Sequence, residues 1–323
     1  MNVGLSHLLL LAMLMSRAKR QSNSVLPFSY LQTRYAVVTG ANRGIGFELC
    51  RQLATKGMTV VLTARDENKG LEAVEKLKQF GLSETVVFHQ LDVTVPASVS
   101  SLADFIKTKF GRLDILVNNA GISGSTADED VVKAALLNKS FSAINWSEIL
   151  IETNEASEEC LKTNYYGVKT MCKTLLPLLQ LSDSPRIINI SSSRGQLKNI
   201  SNEWAKAVLG DAENLTEDKV EQVLRIFVND FREGSLEAKG WPTFLATYSV
   251  SKAAMNAYAR ILAKKHPGFQ INCVCPGNVK TDINYNTGLL SVEEGAESGV
   301  RLALLPDNGP TGHFFVRMEQ SEF

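Results

Sequence analysis

Tyr35-Ala36-Val37-Val38-Thr39-Gly40-Ala41-Asn42-Arg43-Gly44-Ile45-Gly46 is the stretch on which the fold turns. A short apolar run enters a turn with glycines at 40, 44 and 46, and helical spacing begins beyond it. A strand that delivers such a turn onto the start of a helix gathers unpaired backbone N–H groups and the positive end of a helix dipole at one point. That point suits a pyrophosphate, and the glycines let the backbone approach it. The spacing is GxxxGxG rather than GxGxxG, and glycines also make ordinary turns. Its place at the first strand-to-helix turn gives the cluster its weight.

The pattern continues outward from there. Apolar runs bounded by Gly or Asp occur at 35–39, 59–63, 86–91, 115–117, 186–190 and 270–274, and a short seventh at 313–316 could close one edge. Between them lie stretches of helical period, such as Leu71, Val74 and Leu77, or Val99, Leu102, Phe105 and Ile106. Strands alternating with helices predict βαβ units and a parallel sheet covered on both faces, hence an α/β, doubly wound fold. Neither internal repeat nor low-complexity linker interrupts it. Residues 34–323 are therefore read as a single domain, preceded by an N-terminal extension at 1–33. Two segments break the rhythm, a polar, loop-like one at 121–146 and a longer, partly helical one at 194–245. Both follow strands at the end of the sheet where open α/β folds bind ligands, so both are expected to wall a substrate pocket.

Composition excludes several classes. Among 323 residues, 34 basic side chains balance 34 acidic ones, without a run of one sign, which argues against nucleic acid or an anionic membrane surface as partner. The five cysteines, Cys50, Cys160, Cys172, Cys273 and Cys275, show no metal-ligand spacing and fit a reducing, cytoplasmic setting. Cys273 and Cys275 alternate along a strand and should face one side of it as small buried groups. Residues 8–15 form an apolar run too short to span a bilayer, which takes about 20 residues. That run also lacks the preceding positive charge of a secretory signal. The extension is either a targeting segment or dispensable, and the recognisable pattern begins only at Arg34.

The second strand ends at Ala64-Arg65. An acidic residue there would accept from the adenosine ribose hydroxyls of NAD, whereas Arg65 suits a 2′-phosphate, with Arg43 in the glycine turn as a second cation. The expected cofactor is NADP(H). Two solvated surface arginines are the competing reading, kept alive by Asp66 beside Arg65. Asp92 and Val93 end the third strand, where Asp92 could accept from an adenine amino group.

Tyr248-Ser249-Val250-Ser251-Lys252 opens a later helix. Side chains four apart share a helix face, so the phenol and the ammonium converge on one site. A phenol ionises near pH 10, too high for efficient proton transfer at neutrality, and a neighbouring Lys⁺ is expected to lower that value. A serine hydroxyl could then hold the substrate oxygen. Three serines, Ser191, Ser192 and Ser193, follow the 186–190 strand. Ser192 is favoured, with Ser191 and Ser193 as alternatives.

In combination, TGANRGIG at 39–46, NNAG at 118–121, NISSS at 189–193, YSVSK at 248–252 and PGNVKT at 276–281 resemble the short-chain dehydrogenase/reductase family from about Arg34 to the C-terminus. The resemblance implies a Rossmann fold with a seven-stranded parallel sheet ordered 3-2-1-4-5-6-7. It makes Tyr248 the proton donor or acceptor, and Lys252 the residue that binds the nicotinamide ribose and tunes the tyrosine. Ser192 would orient the carbonyl, and Asn164 would hold a water linking Lys252 to solvent. Thr281 would contact the carboxamide, with Pro276 and Val279 nearby. The dinucleotide would further meet Gly40, Asn42, Gly44, Ile45, Gly46, Asn118 and Ala120.

One departure narrows the resemblance. Ser192 and Tyr248 lie 56 positions apart (248 − 192), against little more than a dozen in many members. An insertion there is similar to that of the monomeric carbonyl reductases, and looks especially like the plant branch of menthone/neomenthol reductases and salutaridine reductase. It would cover the helices through which other members associate, so a monomer is expected. The implied activity is reversible, NADPH-dependent reduction of a ketone or aldehyde on a small apolar molecule such as a monoterpenoid. Alkaloid ketones and lipid-derived aldehydes stay open as substrates. A silent dinucleotide-binding sensor is the alternative, against which the intact Ser192, Tyr248 and Lys252 count.

Overall fold

Thr33 to Asn138 and Ile144 to Phe323 are the residues described by the computed structural model. The expected extension at 1–33 therefore lies, but for Thr33, outside the described residues. Arg34–Phe323 forms one compact unit.

Its centre is a sheet of β1 (Tyr35–Val38), β2 (Thr59–Ala64), β3 (Val86–Gln90), β4 (Ile115–Asn118), β5 (Arg186–Ile190), β6 (Gln270–Cys275), β7 (Phe314–Val316) and β8 (Glu319–Ser321). The order is β3-β2-β1-β4-β5-β6-β7-β8. The first seven strands pair in parallel, and β8 pairs antiparallel with β7. The expected seven parallel strands are all present in the expected order, and an eighth, antiparallel strand is added at the β7 edge. Arg317, at φ 55°, turns the chain back through Met318, and Val316 pairs with Glu319. Glu319-Gln320-Ser321 is short and polar, so it gave no apolar signal to read.

Helices cover both faces. On one lie α1 (Gly44–Thr55), α2 (Glu67–Lys78) and, from the C-terminal part, Val292–Ala303; on the other lie α3 (Pro96–Phe110) and two long helices described below. Successive strand residues feed opposite cores. Ala36 and Val38 pack with Leu49 and Leu53 of α1, while Val37 packs with Leu102 and Ile106 of α3. Strands buried on both sides have no polar face, which is why these runs read as continuously apolar. Cys273 and Cys275 share one core and Val274 joins the other, as alternation demands.

The two interrupting segments hold more structure than their sequences announce. Residues 121–146 are not simply loop-like: α4 (Glu129–Asn138) lies within them, and α5 (Trp146–Ile149) starts at their end. Next come α6 (Asn154–Leu161), one π-helical turn (Lys162–Gly167) and α7 (Val168–Leu179). The 194–245 segment carries α8 (Glu203–Gly210) and α9 (Glu217–Arg232), followed by the long α10 (Ala246–Lys265).

The expected substrate wall is supplied by the ends of this segment, Arg194, Phe244 and Leu245, while its middle packs elsewhere. The apolar stripe of α9, Val220, Val223, Leu224 and Phe227, is buried, and the helix packs on α10, α8 and α6. Trp241 closes on Phe227 edge to face and donates its indole N–H to the buried Asp230 carboxylate at 2.8 Å. Glu217 takes Lys169 at 3.1 Å, Lys173 at 2.8 Å and Lys265 at 2.8 Å, tying α9 to α7 and α10. An amphipathic helix must bury its apolar stripe, and this one buries it against the flank of the domain. Only the ends of the insertion return to the cleft described next. No helix among the described residues is long and apolar enough to cross a membrane.

Candidate active site

The strand order reverses between β1 and β4, and a cleft of about 1020 Å³ opens there beyond the carboxyl ends of the strands. It runs from the glycine turn at one end to Ser192, Tyr248 and Lys252 at the other.

At the first end, two loops clamp one another. The Asn119 amide donates to Thr39 O at 2.8 Å and Gly40 O at 3.0 Å, while Thr39 Oγ1 accepts from Asn119 N and Ala120 N, both at 2.9 Å. Gly40 sits at φ +62°, and a Cβ there would stand 2.9 Å from Ala120 Cα, so the approach requires glycine. Thr39 and Asn119 were missed in the sequence. NNAG was visible, but one letter does not tell which asparagine turns inward. Asn118, expected at the cofactor, is corrected: its side chain is buried beneath the cleft, donating to Asn189 Oδ1 at 2.8 Å, and the lining residues are Asn119 and Ala120.

The chemistry of this end fits a dinucleotide. Gly40, Asn42, Gly44, Ile45 and Gly46 line the cleft. The α1 N-terminus carries neither a side-chain cap nor an acidic residue in its first turn, which leaves its N–H groups to an anion. Arg65, Asp92 and Val93 also line it, and Arg65 makes no ion pair among the described residues. Asp92 Oδ1 is taken by Thr94, from N at 2.9 Å and Oγ1 at 2.7 Å, which leaves Oδ2 for a ligand. Arg43 lines the cleft as well, with its guanidinium paired to Asp282 at 2.5 Å where the Thr281 methyl lies over Gly44.

At the other end, α10 presents Tyr248 and Lys252 from its first two turns. Lys252 is buried and donates to Ile190 O at 2.9 Å, with its Nζ 5.7 Å from the Tyr248 ring centre. The three serines separate by geometry. Ser191 turns into the core and donates to Asn256 Oδ1 at 2.7 Å, Ser193 begins a 3-10 turn, and Ser192 lines the cleft with Tyr248, its Oγ accepting from Arg194 N at 3.2 Å. Asn164 stands in the π-helical turn, its Nδ2 donating to Ile122 O at 2.9 Å and Ser251 Oγ at 3.0 Å. Its Oδ1 accepts from Ile122 N at 3.0 Å. Asn164 Oδ1 and Lys252 Nζ flank one spot: a Cβ on Gly121 would lie 3.2 Å and 3.4 Å from them.

The electrostatics correct one expectation. Burial pushes the Tyr248 phenol above its ordinary value, and the nearby Ser192 hydroxyl and the Arg194 charge only partly offset this. Burial also drives the Lys252 ammonium down to about 8. Desolvation of both charged forms outweighs their mutual attraction.

Pro276, Val279 and Thr281 line the cleft as expected, and the segment after them, through Thr287, supplies a wall that sequence reasoning missed. Tyr285 lies parallel to Trp146 with ring centres 6.2 Å apart, and Ile122, Leu150, Phe244 and Leu245 complete an apolar lining near Tyr248.

Comparison with known proteins agrees with this geometry. Residues 34–204 match the family described as short chain dehydrogenase. The chain is 61% identical over 293 residues to (+)-neomenthol dehydrogenase of Arabidopsis thaliana, covering 90% of this chain and 98% of that one. The structure of salutaridine reductase from Papaver somniferum superposes with a TM-score of 0.83 at 56% identity, covering 88% of this chain and 99% of that one. Mouse (Mus musculus) carbonyl reductase [NADPH] 1 is 39% identical over 290 residues, 86% of this chain and 94% of that one.

Proposed function

The chain belongs to the short-chain dehydrogenase family, and we propose that within it the protein is an NADPH-dependent, reversible reductase of ketones or aldehydes on small apolar molecules, monoterpenoids of the menthone/neomenthol type foremost. That it is an oxidoreductase working with a nicotinamide dinucleotide follows from the family and from its dehydrogenase and reductase relatives. The observation that carries the finer reading is that the Ser192 and Tyr248 hydroxyls line one cleft with buried Lys252 behind them. Nothing favours a silent sensor, since every member of this set is in place.

In the reductive direction, the two hydroxyls receive the carbonyl oxygen. Bound nicotinamide supplies hydride to the carbonyl carbon. As charge grows on the oxygen, Tyr248 gives up its proton and Ser192 holds the alkoxide in line. A phenol raised by burial is fully protonated at neutral pH, which is the form a donor needs. The Lys252 ammonium then offsets the phenolate, and a water held at the Asn164–Lys252 spot returns the proton. Reversal of these steps oxidises an alcohol. The apolar walls of Trp146, Leu150, Phe244 and Tyr285 suit a ring without charge. Progress curves of NADPH loss with a carbonyl panel test this reading, and no turnover with any carbonyl would contradict it.

NADP(H) over NAD(H) rests on Arg65 and on the lack of an acid at the end of β2. With Arg43 held by Asp282, Arg65 carries the preference. Arg65→Ala is expected to raise the KM for NADPH about tenfold or more, the scale of a lost charge-assisted contact, while leaving NADH nearly unchanged. Equal use of both dinucleotides by the unmodified protein would contradict the assignment.

The reading includes a monomer in the cytoplasm, with residues 34–323 working as one domain. Support for the monomer is the cover that α8 and α9 lay over α10, reinforced by the Arg260 guanidinium donating to Leu209 O. Five free, buried cysteines fit the compartment. Size-exclusion chromatography with light scattering is expected to give one chain's mass; a dimer or tetramer would overturn it.

A further inference from the structure

The turn after Ser192 carries a cation that the reaction above does not use. Arg194 sits in the 3-10 turn Ser193–Gly195 and lines the cleft. Its backbone N–H donates to Ser192 Oγ at 3.2 Å, and its guanidinium carbon stands 4.9 Å from the centre of the Phe244 ring. An aromatic ring holds a guanidinium over its face. The N–H donors lie in the guanidinium plane and point from its edge, so this contact leaves them available. Among the described residues, none of the Arg194 side-chain donors has a hydrogen-bond acceptor or a carboxylate partner.

The base of this side chain is fixed. Gly195 packs so tightly on α10 that a Cβ would meet the Lys252 carbonyl carbon at 2.6 Å. Gly195 O accepts from Asn256 Nδ2 at 3.1 Å, and Ser193 O accepts from Asn199 Nδ2 at 2.7 Å. The field of Arg194 also reaches the Tyr248 phenol and acts to lower it, against burial. An orientated cation with open donors therefore stands beside the oxygen that Ser192 and Tyr248 receive.

Resting on that reading of Ser192 and Tyr248, we propose that Arg194 is a specificity-determining residue that binds a second oxygen acceptor adjacent to the carbonyl being reduced. The substrates it favours are vicinal dicarbonyls and ketones oxygenated at the neighbouring carbon. With one oxygen between the two hydroxyls, the guanidinium edge meets the second. A plain ketone leaves that edge to water.

The test measures kcat/KM for camphorquinone, a bicyclic vicinal diketone that cannot enolise toward its bridgehead, and for menthone, a plain cyclic ketone. The full chain is compared with Arg194→Met and Arg194→Lys. Arg194→Met is expected to lose about tenfold or more on camphorquinone, the scale of a charge-assisted hydrogen bond, and less than about twofold on menthone. Arg194→Lys keeps the charge without the planar fork and should fall between. Equal losses on both substrates would make Arg194 structural and overturn the proposal. So would no loss on either, which is the behaviour of a solvated arginine. Reduction of menthone but not camphorquinone by the unmodified protein overturns this inference alone. Reduction of neither overturns the reading it rests on as well.

Discussion

Replacing Tyr248 by Phe is expected to lower kcat for carbonyl reduction about 10²–10⁴-fold, the range a positioned proton donor contributes. The substitution removes one oxygen from the end of a ring and keeps its packing on α10, so fold and dinucleotide affinity should hold. Only the hydroxyl that faces the cleft beside Ser192, and that delivers the proton in the proposed reaction, is lost. Single-turnover kinetics with NADPH and a responsive ketone, beside dinucleotide titration by fluorescence, separate the two effects. A Phe variant that turns over like the unmodified protein would show that the proton comes from elsewhere.

Lys252→Met should be nearly as costly and should change the pH profile. Lys252 is buried, and burial brings its ammonium down to about 8. Its folded value lies below the ordinary 10.5, so the side chain is charged below about 8 and loses its charge above it. Reduction needs that charge to offset the phenolate left on Tyr248. The rate in the unmodified protein is thus expected to fall as pH rises through about 8. Methionine matches the stem and carries no charge, so its variant should be slow at every pH and lack that alkaline fall. A Met variant retaining the same limb would assign it to another group.

Much of this was legible in the sequence because the chemistry lies in ordered blocks. Doubly buried strands announce themselves as apolar runs, and a glycine turn between strand and helix has few other uses. YxxxK on a helix fixes its own convergence. What stayed illegible depends on rotation or on distant pairing. Asn118 and Asn119 differ only in which way a strand end faces, and the structure turns Asn119 to the glycine loop and Asn118 into the core. Which serine meets Tyr248 depends on the partner that captures Ser191, Asn256, 65 residues further on. The depression of Lys252 and the elevation of Tyr248 both come from burial, a property of the assembled cleft. The insertion misled through its position: it follows β5 at the ligand end of the sheet, yet the α9 stripe packs against the flank. Only its ends, Arg194, Phe244 and Leu245, reach the cleft; they share the wall with Trp146 of the other expected segment and with the turn around Tyr285, where no periodic signal exists.

One measurement bears most directly on the account: parallel progress curves of NADPH and NADH consumption by the purified full chain with menthone, with the alcohol product quantified. The account predicts one alcohol formed per NADPH consumed, and a much weaker reaction with NADH. Dinucleotide binding without alcohol from menthone or any other carbonyl offered, or turnover driven equally well by NADH, would contradict it.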